Sequence, residues 1–239
     1  MDANSRIALS LSVVVPVWRE AAGIEEFLQR LQPVRQSGHE LIVVDGGSPD
    51  NTADLARPLC DRLLVSEPGR AVQMNAGAAA ARGDLILFLH ADTRLPPDAL
   101  EQLSESQRLG RPWGRFDVRL SGRHVMFSVI AWFMNWRSRL TGVCTGDQGI
   151  FVRRDVFEAL GGYRAMPLME DVELSKRLKL VARPYCISSP VITDSRRWEQ
   201  GGVWPTIVLM WRLRWRYWRG DSPESLAALW RRNVRHARH

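Results

Sequence analysis

The stretch that decides the fold is LILFLHADT at residues 85–93, where five apolar residues lead straight into His90 and Asp92. The stretch LIVVDGGS at residues 41–48 repeats this design, because an apolar run carries Asp45 into a glycine-rich turn. Continuous apolar runs are typical of strands that are covered on both faces of a parallel sheet. Ligands of open α/β sheets bind beyond the carboxyl ends of the strands, so both acids are candidate ligand contacts.

Apolar runs alternate with amphipathic segments along the chain. We predict strands at 10–17, 41–44, 63–65, 85–89, 117–120 and 149–152. We predict helices at 22–34, from the turn 48–52 to 59, at 70–81, from 96–98 to 109, and at 125–136, 155–160 and 170–180. Strands and helices that alternate at this pitch indicate an α/β fold with a mostly parallel, doubly wound sheet flanked by helices.

The bulk composition is that of a globular chain. Its 239 residues are 45% hydrophobic and 25% charged, and a core of this size is stable without disulfides. The cysteines Cys60, Cys144 and Cys186 are scattered and form no CxxC pair, so we expect small buried hydrophobes in a reducing cytoplasm. Residues 1–6 lack the basic and apolar regions of a secretion signal, which also favours a cytoplasmic location.

Positive charge is concentrated at the end of the chain. Residues 196–239 contain ten arginines and three acids, a balance of +7 that equals the formal charge of the whole chain. We therefore divide the chain into an α/β domain at 1–195 and a basic, helical segment rich in tryptophan and arginine at 196–239. Such a segment attracts anionic partners.

The basic segment has two main interpretations. Trp211, Trp215 and Trp218 fall on one helical face, as in an interfacial helix that lies peripherally on the inner surface of a membrane and meets anionic lipid through arginine. Alternatively, the helix packs these tryptophans on the sheet. Nucleic-acid binding is supported by charge but by no motif. The apolar runs 125–134 and 203–210 are shorter than the ~20 residues of a spanning helix, so we expect no transmembrane segment.

Asp92 and His90 are candidate metal ligands. A hard divalent cation held by a carboxylate neutralises a diphosphate as it leaves, and imidazole suits manganese better than magnesium. The alternatives are a turn acid and a packing histidine. Asp45 has the same two interpretations, as an acceptor for a nucleobase or ribose and as a cap of its turn, where Gly47 permits close backbone approach.

Two predicted helix starts carry further candidates. Asp171 follows Glu170 at the start of a helix and is a candidate general base. Arg70 and Asn75 lie in the first turns of the helix at 70–81, where phosphates or ribose bind well. The alternatives are a helix cap for the acids and a solvated helix face for Arg70 and Asn75.

Several segments together resemble a known family. In order, Ser12–Trp18, Ile42–Ser48, Phe88–Asp92 and Met169–Asp171 are similar to the family 2 glycosyltransferases of GT-A fold. The segment Gly69–Gly77 resembles the subgroup of transferases associated with radical-SAM and selenodomain proteins. The resemblance runs from about Leu11 to Trp198. It implies transfer of a sugar, with inversion, from a nucleotide-diphosphate donor to the hydroxyl of a lipid-linked or small-molecule acceptor.

The resemblance also implies roles for individual residues. The expected donor contacts are Pro16, Val17, Glu20, Asp45, Gly47, Arg70, Asn75, Ala91 and Asp92. Asp92 would match the last acid of the DxD motif and hold Mg²⁺ or Mn²⁺, with His90 in place of the first acid. Asp171 would match the catalytic base. The expected contacts to sugar and acceptor are Gly146, Asp147, Gln148, Glu170, Arg197 and Trp198.

Two other classes of function remain open. A nucleotidyltransferase-like enzyme would use a similar α/β fold, although the chain lacks an early glycine-rich, lysine-bearing phosphate loop. A non-catalytic basic module would dock at membranes or nucleic acid without needing Asp92 or Asp171. The sequence leaves the sugar, the base, the acceptor and the oligomeric state open.

Overall fold

The computed structural model describes residues 9–236, so the expectation about a secretion signal at residues 1–6 lies outside the described residues. Within them, eight strands form one sheet. The strands are β1 (Leu11–Val17), β2 (Glu40–Asp45), β3 (Arg62–Val65), β4 (Leu85–Phe88), β5 (Thr93–Arg94), β6 (Trp113–Leu120), β7 (Ile150–Arg153) and β8 (Tyr185–Thr193). The predicted strands are all present, and β5 and β8 are additional.

Helices cover the sheet and continue beyond it. They are α1 (Ile24–Arg30), α2 (Gln32–Gln36), α3 (Thr52–Ala56), α4 (Arg70–Ala80), α5 (Ala99–Arg108), α6 (Val125–Thr141), α7 (Arg154–Ala159), α8 (Glu170–Val181), α9 (Arg196–Gly201), α10 (Val203–Trp218) and α11 (Pro223–His236). The helix predicted at 22–34 is two helices, because Pro33, in the first turn of α2, has no N–H to continue α1. The basic segment is helical, as predicted.

The sheet has the order β3-β2-β1-β4-β7-β6-β8-β5. Strands β1 to β4 run parallel, which confirms the predicted α/β class, whereas β7 is antiparallel to both β4 and β6. The sequence did not predict β8 because Ser188, Ser189 and Pro190 interrupt its apolar run. The structure accommodates them as a register shift, where the pairing moves from Phe116 to Asp117 on β6.

Alternate residues of β1 explain why the sheet is buried on both faces. Val13 and Val15 face one apolar cluster with α1, whereas Val14 faces the other, with α4. Gly77 of α4 lies against Val14, and a Cβ at position 77 would come within 2.3 Å of the Val14 side chain. Because Gly77 lets α4 pack closely on β1, the position of the first turn of α4 relative to the ends of β1 and β2 is fixed.

The helical C-terminal segment packs on residues at the start of α8, and Trp198, Val203 and Ile207 pack against a cluster formed by Leu120 of β6 and two residues of α6. Leu213 of α10 and Leu226 of α11 are fully buried in a cluster with Met169 and Val172. The tryptophans Trp204, Trp211, Trp215 and Trp218 are exposed. The alternative in which the segment packs its tryptophans on the sheet is therefore wrong, because leucines occupy the buried face. No helix within residues 9–236 has the length and apolarity needed to cross a membrane.

Candidate active site

The carboxyl ends of β1 and β2 form one end of the candidate site. Val17 pairs with Asp45 at the last register position of the two strands. Asp45 is only 2% exposed. Its carboxylate accepts hydrogen bonds from the backbone N–H of Ser48, at 2.8 Å, and from the Ser48 hydroxyl. Asp45 therefore caps its turn, as the alternative interpretation expected. Its proposed contact with a nucleobase stays a prediction.

Gln73 of α4 joins the two strand ends. Its amide nitrogen donates to the carbonyl oxygens of Val17 and Val44, each at 2.8 Å, and its side chain is buried. The next amide on the same helix, Asn75, exchanges two hydrogen bonds with the main chain of Tyr163, each at 2.8 Å. Asn75 thus holds a loop in place, and its predicted contact with a donor stays a prediction.

Glu20, in the loop after β1, links the ends of β1 and β2 to Asp92. Its backbone N–H donates to Thr52 Oγ1 at 2.9 Å, which fixes the loop after β1. Burial raises the pKa of Glu20, and the negative charge of Asp92 raises it further. The predicted donor contacts Glu20 and Asp92, which are 72 positions apart, therefore act on each other electrostatically.

Pairing of β5 with β8 brings a later motif to Asp92. Thr93 pairs with Thr193, and the backbone N–H of Asp194 donates to the Asp92 carbonyl at 3.1 Å. The Asp92 carboxylate accepts from the Thr93 hydroxyl at 3.1 Å. The segment 194–198 therefore starts beside Asp92, although about a hundred positions separate them in the chain.

His90 pairs with Asp147 across the cleft floor. Its Nδ1 lies 3.4 Å from Asp147 Oδ1, and the ring packs so closely on Gly146 that a Cβ there would fall 2.4 Å from it. Burial raises the pKa of Asp147, but the hydrogen bond from His90 and the positive charge of Arg197 outweigh burial and hold that pKa well below its usual value. The predicted residues His90, Gly146 and Asp147 thus form one group.

Asp171 lies against the same group. Its Oδ2 accepts the backbone N–H of Gly146 at 2.9 Å, and its Oδ1 accepts that of Val172 at 2.7 Å. Burial raises the pKa of Asp171, and these two hydrogen bonds oppose the rise. The neighbouring Glu170 is almost fully buried, and its pKa is raised by burial and by the charge of Asp171. A carboxylate with a raised pKa suits a general base.

Arg70, at the start of α4, is the point on which the acids converge. Arg70 lines the cleft and is exposed there. Desolvation by the surrounding protein lowers the pKa of Arg70, but four carboxylates outweigh this effect and raise it. From largest effect to smallest, they are Glu170, Asp147, Asp92 and Asp171. Residues predicted from four separate segments therefore share one electrostatic site.

A cleft of about 870 Å³ extends from this site between α6 and α10. Arg70, His90, Asp147 and Asp171 lie at its floor. Its walls are apolar and come from two helices, Val129, Ile130 and Phe133 of α6 and Trp204, Ile207, Val208 and Trp211 of α10. A polar floor with long apolar walls suits an amphipathic ligand.

Arg197 and Trp198 line the cleft, and their predicted contact with substrate stays a prediction. The Arg197 guanidinium lies 4.8 Å from the centre of the Trp230 ring, a cation–π contact that ties α9 to α11. Trp198 packs with Phe127 and Ile130 of α6. Gln148, by contrast, is fully buried and donates to Ser138 Oγ at 3.1 Å, so its amide holds α6 in place.

Sequence reasoning missed Arg137 and the exposed apolar face of α6. Arg137 lines the cleft, and its Nε and Nη2 atoms are buried without a hydrogen-bond partner in the described part of the chain. Val125, Trp132, Phe133, Trp136 and Leu140 of α6 are exposed. The signal that could have revealed this face is the apolar run 125–134 within the predicted helix at 125–136.

The described residues also bear on the predicted metal. Among residues 9–236, no group of three or more His, Cys, Asp or Glu side chains is arranged to hold an ion. Mg²⁺ is typically held by one or two carboxylates together with substrate phosphates, and Asp92 supplies one carboxylate beside Arg70. The side chains present therefore fit a cation that arrives with a diphosphate, and do not form an all-protein cage.

A mostly parallel sheet with acids at its strand ends and an adjoining cleft is typical of the GT-A fold. The family model for glycosyl transferase family 2 matches residues 12–161, which is more than half of the chain. The chain therefore belongs to glycosyl transferase family 2, which confirms the resemblance at the level of the family.

Curated relatives are similar over the same region. An undecaprenyl-phosphate 4-deoxy-4-formamido-L-arabinose transferase of Pseudomonas paraeruginosa is 32% identical over 172 residues, 63% of this chain and 49% of that protein. A dolichol-phosphate mannosyltransferase of Pyrococcus furiosus is 25% identical over 178 residues, 70% of this chain and 49% of that protein. The chain thus spans about half the length of the curated relatives it matches.

A solved structure supports the fold. A mannosyltransferase from Pyrobaculum calidifontis, in complex with GDP-Man and Mn²⁺, superposes with a TM-score of 0.59 over 96% of this chain and 74% of that one, at 19% identity. At this identity the likeness concerns the fold alone. It confirms the predicted GT-A-like architecture.

Proposed function

We propose that the chain transfers a sugar from a nucleotide-diphosphate donor to an acceptor that enters the cleft between α6 and α10. The observation that carries the proposal is that Arg70, Asp147, Glu170 and Asp171 line one cleft. The charge of Asp92 also raises the pKa of Arg70. A site that must bind both a diphosphate and a nucleophile needs positive charge and a carboxylate base side by side. Membership of glycosyl transferase family 2 supports this assignment.

The donor end of the site would hold the nucleotide. Pro16, Val17 and Glu20 border the loop after β1, and Gly47 lies in the turn that Asp45 caps. Ala91 and Asp92 lie beyond β4, and the negative charge of Asp92 raises the pKa of Arg70. The diphosphate would lie between Arg70 and Asp92, because the arginine binds phosphate directly and the carboxylate can bind it only through a cation.

A divalent cation, Mg²⁺ or Mn²⁺, would supply charge neutralisation of the leaving diphosphate. Asp92 would hold it together with the donor phosphates. His90 is a weaker candidate for a second ligand, because its Nδ1 is engaged by Asp147 at 3.4 Å. The His90–Asp147 pair also orients the loop that places the Gly146 N–H on Asp171.

Asp171 would act as the general base. Its carboxylate is fixed by the Gly146 and Val172 N–H groups, yet each oxygen keeps a lone pair for an acceptor proton. Attack by the acceptor from the cleft side, opposite the departing diphosphate, would invert the anomeric carbon. Glu170, Asp147, Arg197 and Trp198 would border the sugar and acceptor.

We propose a lipid-linked acceptor over a small polar one. The cleft walls from α6 and α10 are apolar along their length, which suits a hydrocarbon chain better than a polar molecule. The two curated relatives named above carry undecaprenyl-phosphate and dolichol-phosphate in their names. The segment Gly69–Gly77 further supports placing the chain in the radical-SAM- and selenodomain-associated subgroup of the family.

We also propose that the exposed aromatic faces of α6 and α10 lie on an anionic membrane surface on the cytoplasmic side. Trp132 is 55% exposed and Trp211 is 71% exposed, on the two helices that flank the cleft. Arg212 is exposed on α10, and Arg219 is exposed directly after the end of that helix. Tryptophan at the headgroup level with arginine beside it is typical of interfacial helices. Free Cys60, Cys144 and Cys186 agree with a reducing compartment.

The first experiment tests donor binding. Thermal shift of the full chain against nucleotide-diphosphate sugars, with and without Mn²⁺, should identify a donor that stabilises the protein only with the cation. The variant Asp92→Ala should lose the Mn²⁺-dependent part of the shift. The matched control Asp54→Ala, an exposed acid on α3, should keep it. An Mn²⁺-dependent shift of equal size in Asp92→Ala would reject Asp92 as the metal ligand.

A further inference from the structure

Met169, the residue directly before the two acids of α8, has a backbone conformation that is uncommon for a residue with a side chain. Its φ is 70° and its ψ is 18°, in the left-handed region where glycine is the usual residue. Within residues 9–236, the one other non-glycine residue with a positive φ is Arg19. Arg19 is exposed, and its N–H donates to Ser48 Oγ at 2.9 Å, so a local hydrogen bond fixes its turn. Met169 is buried, so its conformation has a different cause.

Met169 is also an unusual residue for its position at the start of a helix. It stands at the N-cap of α8, where Ser, Thr, Asp and Asn are preferred because their side chains accept hydrogen bonds from the first turn. The Met169 side chain makes no such bond within the described part of the chain. Neither helix capping nor a preference for the left-handed conformation therefore explains a methionine here.

The C-terminal helices cover the Met169 side chain. Met169 is 8% exposed and lies in an apolar cluster with Val172 of α8, Leu213 of α10 and Leu226 of α11. Both leucines are fully buried. A strained backbone conformation persists only where the surrounding structure determines it. The packing of α10 and α11 on Met169 supplies that constraint, because a different φ would pull the side chain out of the cluster.

The chain is anchored on both sides of Met169. Before it, Arg177 donates to the carbonyl of Leu160 at 2.6 Å and to that of Gly162 at 2.7 Å. After it, Leu174 of α8 is fully buried in the apolar cluster on one face of the sheet. The chain must turn between these two anchors, and Met169 makes the last step of that turn.

The conformation of Met169 bears directly on the candidate base. Leu168, immediately before it, and Asp171, two positions after it, line the same cleft. The Met169 carbonyl accepts the N–H of Glu173 at 2.9 Å, which closes the first turn of α8. A change of φ at Met169 would rotate the cleft wall and this turn relative to each other. Asp171 would then move with respect to the space that an acceptor occupies.

We propose that Met169 is a positioning residue of the transferase, and that α10 and α11 act on the candidate base through it. This inference rests on the proposed glycosyltransferase function. Leu213 and Leu226 hold Met169 in the left-handed conformation by packing on its side chain, and that conformation sets the Asp171 carboxylate against the acceptor. The C-terminal helices thus contribute to the geometry of the base as well as to the wall of the cleft.

The first experiment separates backbone conformation from side-chain volume at position 169. Leucine and isoleucine have the same volume, but the β-branched isoleucine is far less tolerant of a positive φ. Met169→Ile should lower kcat about tenfold to a hundredfold, as expected for a misplaced catalytic group. Met169→Leu should stay within about twofold of the wild type. Met166→Ile, in the same loop at an ordinary φ, is the matched control and should keep its kcat.

The assay follows the release of nucleoside diphosphate to water, from the nucleotide sugar that the thermal-shift screen identifies, well below the melting temperature of each variant. Calorimetric affinity for that donor should be unchanged in Met169→Ile, because the donor contacts at the ends of β1 and β2 lie outside α8. Normal kcat in Met169→Ile would overturn the proposal. Equal losses in the leucine and isoleucine variants, or a parallel loss of donor affinity, would show a general packing role and also overturn it.

Hydrogen exchange tests the same step in the free protein. The N–H of Glu173 donates to the Met169 carbonyl, and the N–H of Gly146 donates to Asp171, each at 2.9 Å. Both amides should exchange about tenfold or more faster in Met169→Ile than in the wild type, because the first turn of α8 opens more often. The amide of Leu178, further along α8, should keep its rate. Unchanged exchange at Glu173 and Gly146 would overturn the proposal.

This measurement needs neither donor nor acceptor. Failure of the nucleotide-sugar screen would reject the proposed function, whereas the exchange rates would still show whether Met169 fixes the first turn of α8. The two failures are therefore distinguishable.

A double-variant cycle tests the link to α10. Leu213→Ala removes packing from Met169 and should lower kcat. Met169→Gly adopts a positive φ without strain, so its backbone needs less support from α10. The loss caused by Leu213→Ala should therefore be about threefold or more smaller in combination with Met169→Gly than in the wild type. Independent, multiplicative losses would show that Leu213 does not act through Met169 and would overturn that link.

Discussion

The donor end and the acceptor end of the site are built differently. At the donor end, Asp45, Gln73 and Glu20 have backbone or side-chain partners that fix the ends of β1 and β2. At the acceptor end, Arg137 lacks a partner among the described residues, and Trp132 and Trp211 are exposed. A preorganised end suits a nucleotide whose shape does not change. An unsatisfied, apolar end suits a partner that arrives from outside the chain.

The largest expected effect concerns Asp171, the candidate base between the donor end and the acceptor end. Asp171→Asn should lower turnover about a hundredfold to ten-thousandfold, because it removes the base. The amide oxygen can still accept one of the two backbone N–H groups that bind Asp171, from Gly146 or from Val172. Donor affinity should stay unchanged in calorimetry. The control Asp54→Asn should have normal turnover. Near-normal turnover of Asp171→Asn would remove Asp171 from the mechanism and leave the acceptor end without a base.

The second prediction compares a paired buried arginine with the unpaired one. Arg115→Met should lower the free energy of unfolding by about 3 kcal/mol, the lower end of the range for broken buried pairs, since Arg139 still binds Asp117. Urea denaturation measures this. Arg119→Met, exposed on the same strand, should change it by no more than about 0.5 kcal/mol. If Arg115→Met were as stable as the wild type, the ion pair with Asp117 would not stabilise the fold. Arg115 and the unpaired Arg137 would then not differ in this respect.

The third prediction concerns the exposed faces beside the cleft. The double variant Trp132→Ala with Trp211→Ala should bind phosphatidylglycerol vesicles about tenfold or more weakly, because each ring buries apolar area in the bilayer. Co-sedimentation measures this at low and high salt, and the wild-type binding should weaken with salt. Trp18→Ala, an exposed tryptophan at the donor end, is the matched control. Unchanged sedimentation of the double variant would place the membrane contact elsewhere.

The smallest effect is a shift in pH dependence. Burial raises the pKa of Asp171, and a base works only when it is deprotonated, so turnover should fall as pH drops through a value above the ordinary aspartate value of about 4. The fall should be about tenfold per pH unit. The residual turnover of Asp171→Asn should lack this acid limb. A wild-type limb at or below pH 4 would show that burial does not tune this carboxylate.

Much of the fold was readable from local patterns. The strands that end at Asp45 and before Asp92 were predicted because a continuous apolar run followed by an acid is a local signal. Strand β8 and its shift at Asp117 were not, because Pro190 breaks the run and only pairing with β6 restores it. Pro33 divided a helix that periodicity alone had joined.

The residue types at the site followed from sequence, but their partners did not. The predicted contacts of Asn75 with the donor and of Gln148 with the sugar and acceptor stay predictions. Nothing in the sequence indicates that both amides are hydrogen-bonded within the protein. Arg137 gave no signal in the chain, because its lack of a partner depends on Asp117 being shared by Arg115 and Arg139. The hydrogen-bond and ion-pair partners of a side chain depend on spatial distances between segments that are far apart in the sequence.

The sequence by itself determined the α/β class, the family and the acids at the ends of β2, β4 and the start of α8. Those are properties of short runs, where periodicity and residue type fix the local structure. Only the tertiary structure decided that four acids share Arg70, that α6 and α10 enclose an apolar cleft, and which arginine remains unpaired. The physical reason is that burial and charge pairing depend on which segments pack together, and sequence order does not specify that.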